Sequence, residues 1–111
     1  EHCFNIGQAF LNAANAVRPG GSICHLSPMT MLNHGFYNLC PTLFNDFYLQ
    51  NGWEIKELKI MPSSGPRIHS TGRFDMHTEH LIRVLATRTD GSSLKYPVQT
   101  KYLEKIAGRG K

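Results

Sequence analysis

The chain has 111 residues, of which 41% are apolar and 18% charged, and a formal net charge of +4. That is one globular domain at most, large enough for a modest core. No apolar run approaches the roughly 18 residues of a membrane span and no signal peptide opens the chain, so neither a membrane partner nor export is expected. The basic residues are scattered except in the closing "KIAGRGK" (105–111), which reads as a solvated tail, so nucleic acid is not an expected partner. The cysteines (Cys3, Cys24, Cys40) are odd in number and lack CxxC spacing, so neither a disulfide framework nor a structural zinc site is expected. A reducing, cytoplasmic location fits them.

Residues 6–18, "IGQAFLNAANAVR", predict a helix. Ile6, Phe10, Ala13 and Val17 form one apolar stripe and Asn5 is an N-cap. "RPGG" (18–21) stops it, because Pro19 cannot continue a helix and the glycines supply a turn. "SICHLSPM" (22–29) predicts a short buried strand over 22–28. Helix, turn and strand make the second half of a βαβ unit whose first strand would precede residue 1. Together with Glu rather than Met at position 1, this makes the chain look like part of something longer.

"MTMLNHGFYNLC" (29–40) has no clean period and reads as an ordered loop. Pro41 opens a helix over 42–51, whose Leu43, Phe44, Phe47 and Tyr48 share one face as core, and Asn51-Gly52 ends it. "WEIKELKIM" (53–61) is a strand whose apolar residues change phase midway, which a bulge near Lys56-Glu57 reconciles. Residues 62–78 are turn-rich. "EHLIRVLATRT" (79–89) is a strand apolar on both faces, hence central. Residues 96–111 form a partly flexible extension with a last helical turn or two.

"EH" before a helix, "VRPGG" (17–21) before a strand, "HGFYN" (34–38) before "PTLFNDFYLQNGW" (41–53), and the order of the elements together resemble the C-terminal half of a class I S-adenosylmethionine-dependent methyltransferase. The resemblance covers residues 1–90. It implies an α/β fold, the C-terminal part of a seven-stranded Rossmann-like sheet. The helices 6–18 and 42–51 would pack on three strands, with 79–89 antiparallel and central between 22–28 and 53–61. The implied activity is methyl transfer from S-adenosylmethionine to a small-molecule acceptor.

By the same resemblance, Glu1 and His2 stand at the end of the family's fourth strand, on the cofactor side. Asn33, His34, Gly35, Phe36, Tyr37 and Asn38 follow the fifth strand, on the substrate side. Phe36 and Tyr37 would wall a flat or apolar acceptor, Gly35 would allow close backbone approach, and His34 is the candidate base. The glycine-rich loop and the acidic residue that hold the nucleoside in this family are absent. The chain alone is therefore expected to bind the cofactor weakly or not at all.

Elsewhere the residues point to structure. His77 and His80, with Glu79 between them and His69 upstream, read as surface groups at a strand start. His25 reads as a partly buried, hydrogen-bonded histidine, and no metal site is expected. The alternative function is a self-contained, non-catalytic α/β binding domain; an RNA-associated module is a third. If a neighbouring strand is missing, the exposed sheet edge is expected to drive self-association.

Overall fold

The computed structural model describes residues 1–31, 34–62 and 79–103. Helix α1 (Ile6–Asn15) begins where the Asn5 side chain accepts the Gln8 amide at 3.1 Å, satisfying one of the donors a first helical turn leaves over. Its buried residues are Gly7, Phe10 and Ala14. The expected stripe through Ala13 and Val17 is therefore corrected by about one position, and those two become half-buried shoulders. The helix also stops three residues short of the expected Arg18. The Val17 amide reaches back only to the Ala14 carbonyl, at 3.1 Å, and Pro19 disfavours helical backbone at Arg18. The turn closes with the Gly21 amide on the Arg18 carbonyl at 2.9 Å and Gly20 at φ +82°, as in a type II turn with proline second and glycine third.

Strand β1 (Ser22–Pro28) has the expected extent. Helix α2 (Pro41–Gln50) starts on its proline, one residue early. It ends in a Schellman arrangement, with the Gly52 amide on the Leu49 carbonyl and the Trp53 amide on the Tyr48 carbonyl. Gly52 takes φ +74°, and the Trp53 and Tyr48 rings pack 4.9 Å apart. Trp53 is thus spent on the helix cap, so strand β2 runs Glu54–Pro62 rather than 53–61. Strand β3 (His80–Thr87) is shorter than the expected 79–89.

The sheet order is β1-β3-β2, and β3 is antiparallel to both neighbours. The register skips between Ile55 and Glu57. This is the expected bulge, and it returns Leu58 and Ile60 to the face that holds Ile55. Both helices lie on one face. Phe10 of α1 stacks on His25 and meets Phe44 and Phe47 of α2. Beneath them lie Ile82, Val84 and Ala86 of β3, all fully buried. Each large side chain so buried contributes about 1.5–3 kcal/mol.

The opposite face is different. Register places Cys24 beside Leu85 and Leu26 beside Arg83 there. Among the described residues nothing covers this face at β1, where Leu26 is 60% exposed. The expectation of a strand buried on both faces therefore holds for one face only, and Leu81 and Leu85 are half-buried on the other.

After β3, the chain is tied down by Arg88 and then runs back along α2. Asn51 exchanges hydrogen bonds with the Lys95 backbone, Gln50 donates to the Val98 carbonyl at 2.5 Å, and the Thr100 amide donates to Asp46 at 2.9 Å. A single 3-10 turn follows at Thr100–Tyr102.

Candidate functional site

The loop 29–40 leaves the carboxyl end of β1 and is held at both ends. At its start, the Met29 and Thr30 amides donate to the His80 carbonyl, and the Thr30 hydroxyl accepts the His80 amide at 3.0 Å. At its finish, the Leu39 amide donates to the Pro28 carbonyl at 2.8 Å, and Leu39 is buried. Inside it, the Asn38 side chain accepts the Met31 amide at 2.7 Å. Pinned this way, the loop presents His34 and Phe36 at its surface.

The N-terminal residues complete that array. The Glu1 carbonyl accepts the Phe36 amide at 2.8 Å and the Tyr37 amide at 3.1 Å. The Tyr37 hydroxyl donates to the Phe4 carbonyl at 2.6 Å, and the Phe4 and Phe36 rings stack with centroids 4.3 Å apart. Gly35 is needed here, because a Cβ at this position would sit 2.9 Å from the Glu1 carbonyl oxygen. The close approach at Gly35 is to the Glu1 backbone.

Glu1 carries the electrostatics of the site. Its carboxylate lies 3.4 Å from His2 Nε2 and 3.5 Å from His34 Nε2. The two imidazole rings are 5.4 Å apart. Residues assigned from sequence to the cofactor side (Glu1, His2) and to the substrate side (His34, Gly35, Phe36, Tyr37) thus meet in one place. Asn33 lies outside the described residues, as do His69 and His77. Within the predicted set the roles divide: Asn38 and Tyr37 brace the loop, while His34 and Phe36 face outward, Phe36 being 62% exposed. Phe4 was not anticipated, since an aromatic just before a helix N-cap carries no signal until the loop it stacks on is in place.

His25 lies apart from this array. Its ring is stacked on Phe10, and its Nε2 is hydrogen-bonded to the Tyr48 hydroxyl. Burial lowers its pKa from 6.5 to about 4 and raises that of Tyr48. It is a neutral core group, as its position in the strand suggested. A separate cavity of about 360 Å³ between α2 and residues 97–99, lined by Cys40, Leu43, Asp46, Phe47, Pro97 and Val98 among others, includes neither His34 nor Phe36.

No protein-family model, curated protein or solved structure matches the chain. Among the described residues no helix is long and apolar enough to cross a membrane.

Proposed function

We propose that this chain is the C-terminal part of a class I S-adenosylmethionine-dependent methyltransferase that methylates a small acceptor. The observation that carries the reading is the sheet order β1-β3-β2 with the last strand inserted antiparallel. The "VRPGG" and "HGFYN" resemblance implies that order, whereas a chain of strands joined to their nearest neighbours would give β1-β2-β3. Among the described residues the face at β1 is uncovered, which adds support, since in a doubly wound sheet helices lie on both faces.

In this reading the loop after β1 positions the acceptor. Phe36, backed by Phe4, offers it a flat apolar surface. S-adenosylmethionine, when bound, would supply the activated methyl group. Where the acceptor is an O–H or N–H group, His34 takes the proton. The carbon is already activated, so alignment supplies much of the acceleration. The groups that grip the nucleoside belong to the preceding part of the sheet. Three exposed free cysteines suit a reducing cytoplasm.

The reading frame upstream of the Glu1 codon tests this. A strand followed by a glycine-rich loop, roughly 60–80 residues before Glu1, is the expected finding. A start codon at or beside Glu1 would overturn it. Calorimetric titration of this chain alone with S-adenosylmethionine should show no micromolar binding. The cavity beside α2, within the volume range of ligand pockets, favours a second reading as a non-catalytic binding domain, which that start codon would support.

A further inference from the structure

We propose that Glu1, His2 and His34 form a binding site for a divalent transition-metal ion, with zinc the best-matched probe. One carboxylate oxygen and two imidazole nitrogens lie within 4.8 Å of one another. Tetrahedral donors about 2.1 Å from a zinc ion lie about 3.4 Å from each other. The two separations from the Glu1 oxygen are 3.4 and 3.5 Å, so the carboxylate already stands one tetrahedral edge from each histidine. The two imidazole nitrogens lie within 4.8 Å of each other, and the 65% exposed His2 side chain has room to turn and shorten that third edge.

The donor set selects the ion. Imidazole nitrogen favours zinc and its first-row neighbours over magnesium or calcium, which take oxygen ligands. Two histidines and one carboxylate are also a ligand set that leaves a coordination position open. The surroundings suit an open site. Phe4 is two residues from His2 and Phe36 two from His34, so the stacked pair flanks the cluster in sequence on both sides. The Glu1 carbonyl bonds to the Phe36 and Tyr37 amides fix the backbone of the carboxylate donor against the loop that carries His34. The free position would take water or an oxygen of a ligand resting on that aromatic pair. A metal on His34 Nε2 removes that nitrogen as a base, and the oxygen made acidic is then the one bound to the metal.

Two sequence-adjacent donors and a third from a distant loop leave no spacing motif, which is why the sequence gives no metal signal. The inference does not depend on the methyltransferase reading, because metal binding is measured without cofactor or acceptor.

The test is calorimetric titration of chelator-treated protein with zinc chloride, with far-UV circular dichroism as a check on folding. All three side chains are partly exposed, so substitutions there should leave the fold intact. One equivalent of zinc at micromolar affinity or better is expected. Glu1→Gln and His34→Ala should each weaken binding at least tenfold, whereas Cys3→Ser should not. Cobalt in place of zinc should give visible absorption without a thiolate charge-transfer band. No stoichiometric uptake, affinity unchanged in His34→Ala, or a thiolate band would overturn the proposal.

Discussion

His25 is held as an uncharged ring in the core, and that has a consequence for stability. Its pKa falls from 6.5 to about 4 on folding because burial penalises the charged form. Between those values the unfolded chain binds a proton that the folded chain refuses. The contribution is therefore complete above pH 6.5 and is lost as the pH falls towards about 4. At about 1.4 kcal/mol per pKa unit, the loss is at most about 3–4 kcal/mol. Urea denaturation at pH 7.5 and pH 4.5 should reveal it. In His25→Phe the dependence over this window should flatten, at a cost of about 1 kcal/mol at neutral pH for the Tyr48 hydroxyl left without its partner.

Arg88 is the other decisive single residue. It is buried, and its guanidinium donates to the carbonyls of Val17, Asp90 and Ser92 at 2.8, 3.0 and 3.1 Å. One side chain thereby joins the end of α1, the end of β3 and the turn beyond. Arg88→Ala should cost about 2–3 kcal/mol in chemical denaturation, since hydrogen bonds from a charged donor are the strong kind. Lysine, with a single nitrogen, should recover only part. Nothing in "ATRTDG" distinguishes this arginine from a solvated one. Its value lies in three carbonyls that only the fold assembles.

At the scale of elements, local chemistry wrote most of the outline. Asn5, Pro19, Gly20, Pro41 and Gly52 each mark a boundary for a backbone reason, and each acts where that reason puts it. The misplacements have equally local causes: α1 loses its last residues to the proline ahead, and Trp53 leaves β2 to close the cap of α2. Gly52 tests the point. Its φ of +74° is strained for any side chain, yet a Cβ there would meet only the Thr89 hydroxyl at 3.8 Å. Gly52→Ala should therefore cost about 1–2 kcal/mol from backbone strain alone, seen as a lower Tm with unchanged secondary structure. The candidate loop 29–40 was less readable. Its residues were visible as a group, but the Glu1–His34 encounter depends on how the N-terminal segment lies across the loop, which no periodicity encodes.

For the whole molecule, the two sheet edges contrast. On β2 the sequence places Glu54, Lys56, Glu57 and Lys59, with Glu54 and Lys56 paired at 2.9 Å. Such charges discourage a further strand. On β1 it places Ile23, Cys24, His25 and Leu26, without a formal charge at neutral pH on the neutral His25. The expectation of self-association therefore attaches to β1. Light scattering of the isolated chain should show a species larger than the monomer, and Leu26→Lys, at a site already 60% exposed, should shift it towards the monomer. A clean monomer at high concentration would remove the case for a vacant neighbour.

That asymmetry also limits how far assembly can go. If two molecules meet β1 to β1 about a twofold axis, the described strands of the joined sheet number six, with the charged β2 strands outermost among them. The contact closes on itself, so the product is a discrete pair rather than a growing fibre.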